Sequence, residues 1–177
     1  MFINDWNTLI DRMAALHRDP AVNFGLEVED PRPPAEPEVI ADAERRLGVR
    51  FDDVFRGFLA RCNGWASLGA DWYLFGADEL GQSSVWQESM VGVNAYFDSE
   101  QNPLTAAVGH KLVLIADNLN TAHFLVAAFS IDEYEPVSRC YDCMSGEDAE
   151  IPDYYSWMAE WRDTMERDIA RGESNDG

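Results

Sequence analysis

Two cysteines three positions apart, in Cys140-Tyr141-Asp142-Cys143, have the spacing that metal and redox sites use. Zinc takes four ligands, and the chain offers no second cysteine pair and no close histidine pair. A redox pair opens a helix after a strand, where the helix N-terminus lowers the thiolate pKa. This pair falls where a strand candidate passes into an acidic segment, whose carboxylates raise it. The cysteines are therefore expected to be structural. His17, His110 and His123 lie far apart with no nucleophile at a motif-like spacing, and are expected at the surface or half-buried. The chain has no G-x-S-x-G, H-E-x-x-H, G-x-G-x-x-G or phosphate loop, and Lys111 is its one lysine. Asp117-Asn118-Leu119-Asn120 has part of a calcium donor set but lacks the glycine and the distant glutamate of such a loop, so a polar hairpin turn is expected. The expectation is no catalytic residue, no metal, no cofactor, and no enzyme.

The carboxylates carry the stronger signal. Thirty-three acidic residues face thirteen basic ones, a formal net charge of −20. A field of that sign repels nucleic-acid phosphates and anionic membranes, and it attracts and steers a basic protein. It equally suits a chain kept soluble by charge or adapted to salt. Between residues 132 and 153, Asp132, Glu133, Glu135, Asp142, Glu147, Asp148, Glu150 and Asp153 stand against Arg139 alone, with Tyr134, Tyr141, Tyr154 and Tyr155 interleaved. Tyrosine beside carboxylate suits the grip of an arginine- or lysine-rich surface, the ring packing on the stems and the charge pairing with the heads. These eight acids and Tyr141 are the candidate partner-binding residues; a solvated acidic loop is the alternative.

The elements that must position them follow from periodicity. Trp6, Leu9, Ile10, Met13 and Leu16 place an amphipathic helix over residues 4–18, ended by Asp19-Pro20. Residues 27–37, acidic and rich in proline, make an extended connector. Pro37 opens a helix carrying Val39, Ile40, Ala43 and Leu47, and Gly48 ends it. Asp52 or Asp53 caps the next, with Val54, Phe55, Phe58, Leu59 and Cys62 on one face up to Asn63-Gly64. Trp72–Phe75 is a strand. Ser84-x-x-Gln87 is a capping box for a helix over 84–99, with Trp86, Met90, Val93 and Phe97 inward. Residues 108–116 and 121–130 pair as a hairpin about a turn at Asp117–Asn120. Residues 137–141 form a strand and 142–153 a loop; Tyr154, Met158, Trp161 and Met165 mark a final helix, and the tail from residue 172 frays.

The order Ile40-x3-Glu44-x2-Leu47-Gly48, then Phe58-Leu59 and Asn63-Gly64, then Leu74-Phe75-Gly76 with Glu79-Leu80, resembles the SUKH superfamily of Smi/Knr regulators and bacterial immunity proteins. Leu112 to Asn118 is similar to that family's v-x-IA-x-D strand and turn, and the helix from Tyr154 to Ile169 to its closing element. Two departures stand out. Phe51-Asp52 replaces the usual Leu-Pro, and Asn118-Leu119-Asn120 a glycine-rich turn. The resemblance implies a single α+β domain with a mainly antiparallel sheet flanked by helices, over residues 34–171 after an N-terminal helical region at 1–26. It implies an immunity-type protein that sequesters a cognate toxin, basic by the charge argument, or a regulatory adaptor of Smi/Knr type. A carboxylate hydrolase is a third, weaker reading.

At 177 residues, 46% of them hydrophobic, the chain is long enough for one good core. The first twenty residues lack an apolar signal core and no run reaches the ~20 residues of a membrane span. Three cysteines suit a reducing cytoplasm. Neither nucleic acid nor membrane is an expected partner. A monomer or weak homodimer is expected, and the sequence leaves open whether exposed tryptophans such as Trp65 or Trp72 join two copies.

Overall fold

In the computed structural model, residues 5–26, 28–69, 71–98, 109–131, 139–144 and 147–175 are described. The N-terminal half is helical: α1 (Trp6–His17), α2 (Pro20–Asn23), α3 (Pro37–Leu47) and α4 (Asp53–Leu59). Each start has a local cause. The Asp5 side chain accepts from the Thr8 N–H, Asp19 from Ala21, and Asp52 from Phe55, all donors that an uncapped helix leaves unpaired. Helix α3 opens on Pro37 and closes on Gly48 at φ 66°, left-handed backbone that favours glycine. In the departure Phe51-Asp52, Phe51 is buried against Phe55 and Phe129 while Asp52 caps α4.

The sheet has six strands, β1 (Trp65–Leu68), β2 (Trp72–Leu74), β3 (His110–Asn118), β4 (His123–Ser130), β5 (Arg139–Met144) and β6 (Glu147–Ile151). Spatial order equals chain order, and every pairing is antiparallel. Helix α5 (Ser84–Phe97) connects β2 to β3, and α6 (Tyr154–Asn175) follows β6. The protein is a single α+β domain.

Residues paired across strands share a face of the sheet. On one face Trp72, Leu125, Cys140, Asp142 and Ile151 meet the helices: Trp72 packs on Trp157 and Trp161 of α6, while Phe129 packs on Phe55 of α4. Helix α1 joins this layer through Trp6, whose ring lies 4.9 Å from that of Tyr155. On the other face, register sets Tyr73, Asp117, Phe124 and Cys143 in one row, partly roofed by α5. There Tyr96 sits edge-on to Phe124, and the Trp86 indole N–H donates to the Leu114 carbonyl at 3.1 Å. The cover is thin, since Val93 is the α5 residue that is fully buried.

Several expectations need correction. Trp65 and Trp72 are buried, at 0% and 1% exposure, so neither offers a contact between copies. His17 is buried too, edge-on to the Trp65 ring. Strand β1 has no counterpart among the expected elements. Ser83, not Ser84, caps α5: its hydroxyl accepts from the Trp86 N–H at 3.1 Å. The β3–β4 turn falls two residues later, because β3 runs through Asp117 and Asn118. The loop expected over 142–153 is the end of β5 and the whole of β6, with Glu147 opposite Met144 and Glu150 opposite Tyr141. Helix α6 continues past Ile169 to Asn175. Among the described residues no helix is long and apolar enough to cross a membrane.

Candidate functional site

The motif residues are spent inside the fold. Glu44 takes hydrogen bonds from the Phe51 N–H at 2.7 Å and from Arg56 Nε and Nη2 at 3.0 and 2.6 Å, tying α3 to α4. Asn63 Oδ1 accepts from the Ala77 N–H at 2.7 Å, and Asn63 Nδ2 donates to Asp78 at 2.8 Å. Glu79 accepts from the Gly76 N–H at 2.9 Å, from Arg32 at 2.5 Å and from the Tyr73 hydroxyl at 2.5 Å. That hydroxyl in turn accepts from Arg32 Nη2 at 2.6 Å. Burial, then the adjoining Glu79 carboxylate, pushes the Tyr73 phenol upward. Arg46 donates to the Ala77 and Leu80 carbonyls, both at 2.7 Å. Glycine is required twice, at Gly64 and Gly76: a Cβ on Gly64 would come within 2.7 Å of the Gly76 nitrogen, and one on Gly76 would strike the Asn63 carbonyl. Lys111 donates to the Leu47 carbonyl at 2.8 Å, where a cation suits the end of α3.

The cysteine pair has no joint chemistry. Three residues apart on a strand, Cys140 and Cys143 point to opposite faces of the sheet. None of the three cysteines forms a disulfide and all are buried; burial pushes Cys62 up to about 12 and Cys140 higher still, opposite to the shift a reactive thiolate needs. His123 pairs with Asp142, a dyad whose other neighbours are the rings of Trp72 and Trp157. Among the described residues no group of three or more His, Cys, Asp or Glu side chains could hold a metal ion.

The structure divides the nine candidate residues. Asp132, Glu133 and Glu135 lie outside the described residues. Asp142 sits on the helix-covered face, with Oδ2 accepting from the Trp157 indole N–H at 3.1 Å. Asp153 caps α6 by accepting from the Ser156 N–H at 2.8 Å. Tyr141 is half-buried on the opposite face, and Glu150 is exposed with an ion pair to Arg139 at 3.1 Å. Glu147 and Asp148 occupy the backbone of β6, the last strand of the sheet, so three of the acids form one edge. Acidic residues in a border strand oppose strand-to-strand association.

Two concavities lie elsewhere on the surface. A shallow groove of about 470 Å³ between α3 and α4 is lined by Glu44, Arg45, Arg50, Arg56 and Ile131 among others. A smaller cleft of about 250 Å³ lies between α5 and the β3–β4 turn, lined by Glu88, Ser89, Gly92, Tyr96, Asp117 and Phe124 among others. Burial pushes the Asp117 carboxyl up, and a hydrogen bond from Ser89 partly offsets this. Of the cleft residues just named, only Asp117 was singled out from sequence, as part of a strand and turn. A usable signal existed: Ser89, Gly92 and Tyr96 share the helical stripe of Val93, and a small or polar residue there leaves the seam to the sheet unfilled.

The SMI1 / KNR4 family (SUKH-1) model matches residues 34–164, most of the chain. The chain belongs to the SMI1/KNR4 (SUKH-1) family. Membership places it among Smi/Knr-type and immunity-type proteins, and the matched span runs from the connector through the first half of α6. No curated protein matches it. In this SUKH-1 domain the residues that carry the resemblance, Glu44, Asn63, Gly64, Gly76 and Glu79, hold helices and turns together. Family membership thus describes the scaffold, and partner choice falls to the surface built on it.

Proposed function

We propose that this SUKH-1 domain is a non-catalytic immunity protein of the reducing cytoplasm, which sequesters a cognate basic toxin through its acidic surface. The observation that supports this best is the β6 edge. Glu147, Asp148 and Glu150 fall in one five-residue strand at the sheet border, in a chain of net charge −20. Toxins that attack nucleic acid carry basic surfaces because they must bind phosphate, and a carboxylate row can cover such a surface. Long-range attraction speeds the encounter and falls off as salt shortens the Debye length. The family contributes the immunity class, and the charge contributes the chemistry of the partner.

The test is co-expression with the polypeptide encoded beside this chain, followed by charge reversal of Glu147, Asp148 and Glu150 to lysine. A stable complex that the triple variant weakens at least about tenfold supports the reading. An unchanged affinity removes β6 as the binding edge. The absence of any complex with a basic neighbour removes the immunity role.

A further inference from the structure

We propose that the cleft between α5 and the β3–β4 turn is a receptor for a guanidinium side chain, the place where an arginine of the basic partner anchors. The proposal rests on the reading that the partner is a basic protein, and it locates a site that β6 alone does not define.

The walls are of two kinds. Tyr96 and Phe124 stand edge to face with ring centroids 5.2 Å apart and an interplanar angle of 88°. The polar lining comes from Asp117, which pairs with Phe124 across β3 and β4, and from Glu88, Ser89 and Thr121. A flat guanidinium fits such a setting better than a compact ammonium, because it stacks on a ring while its N–H groups reach carboxylate oxygens. The cavity of about 250 Å³ suits one side-chain head, not a cofactor.

Asp117 is half-buried, and among the described residues none of the ion pairs includes Asp117 or Glu88. Among the described residues no lysine or arginine lines the cleft. Asp117 accepts from the neutral Ser89 hydroxyl, and a half-buried carboxylate gains more from a cation than from such a donor. Gly92 forms the lip. A Cβ placed there meets nothing within 4 Å, so the mouth is open at a helical position where glycine otherwise only weakens the helix. The cleft also lies on the side of the sheet from which an acidic edge is reached. Register runs Phe124, Cys143, Asp148 across β4, β5 and β6, about 10 Å from cleft to edge.

The probe is Nα-acetyl-arginine amide, with the acetyl-citrulline and acetyl-lysine amides as controls, titrated into 15N-labelled protein at low salt. Saturable amide shifts confined to Ser89, Gly92, Val93, Thr121 and Ala122, at a roughly millimolar Kd, are expected for the arginine amide. Citrulline should give none and lysine clearly weaker ones. Asp117→Asn should weaken binding about tenfold, the size of one charge-assisted hydrogen bond, while leaving Tm unchanged or raised. Gly92→Leu should abolish binding with no change in net charge. Shifts spread evenly over the acidic surface, equal shifts from lysine, or indifference to both variants would overturn the proposal. If the cleft fails while the partner complex still responds to charge reversal on β6, the anchor is wrong and the binding role stands.

Discussion

Glu44→Ala separates a structural motif from an ornamental one. The Glu44 side chain is 12% exposed and Arg56 40% exposed. Truncation leaves the Phe51 N–H without its acceptor, at a cost of about 1–2 kcal/mol for a partly buried donor. It also leaves the Arg56 guanidinium without a two-point partner. A fully buried pair broken in this way costs about 3–5 kcal/mol, but Arg56 is too exposed for that, and about 1–2 kcal/mol is the screened figure. The sum is roughly 2–4 kcal/mol. For a domain of this size each kcal/mol moves Tm by about 2–4 °C, so a drop of roughly 4–16 °C is expected. Glu44→Gln keeps an oxygen for the Phe51 amide and should lose about half as much. Urea unfolding of Glu44→Ala, Arg56→Met and the double variant gives the coupling directly, expected at about 1–2 kcal/mol. A Glu44→Ala loss below about 1 kcal/mol, or no coupling, would show Glu44 to be an ordinary surface charge and refute the reasoning.

Other consequences can be measured on the same protein. Gly64→Ala puts a Cβ against the Gly76 nitrogen and the Leu74 carbonyl at φ 91°, and should cost about 2–4 kcal/mol by calorimetry. Ser83→Ala should lower stability by about 1 kcal/mol through loss of the cap while Ser84→Ala does almost nothing; the reverse result would move the start of α5. Burial pushes His17 down, its Nε2 has no hydrogen-bond partner among the described residues, and its Nδ1 accepts from the Gly69 N–H at 3.4 Å. The folded state therefore keeps it neutral while the unfolded chain takes up a proton below about pH 6.5, so this contribution to stability is intact above that pH and fades below it. Denaturation midpoints of the parent should fall relative to His17→Gln between pH 7.5 and 5, and parallel curves would contradict the burial argument.

The helices other than the four-residue α2 were legible because each buries a stripe whose period survives in the sequence, and because Gly48 and Asp52 stand where helices must end and begin. The antiparallel hairpin of β3 and β4 was legible for the same reason in period two. Strand β1 was not, since four residues after a glycine turn give too little alternation. Strand β6 was missed because Glu-Asp-Ala-Glu has poor strand propensity; its order comes from pairing with β5, a non-local cause. Ser83 and Ser84 both suit a cap, and the turn that bonds the Ser83 N–H to the Glu79 carbonyl chooses between them. Of the acidic residues, Asp142 and Asp153 read like Glu150 in sequence. Parity could have separated the first, because Asp142 follows Cys140 by two on a strand and must share its buried face. The cleft at Asp117 arises where α5 crosses the sheet, which no local pattern encodes.

The central claim is that this scaffold holds a basic protein by charge. The most direct measurement is the association rate with the polypeptide encoded beside it, followed by stopped-flow tryptophan fluorescence from about 20 to 500 mM salt. A one-to-one complex is expected, with an association rate that falls at least about tenfold across that range and dissociation far less affected. A complex whose association rate ignores salt, or no complex with a basic neighbour at any ionic strength, would contradict it.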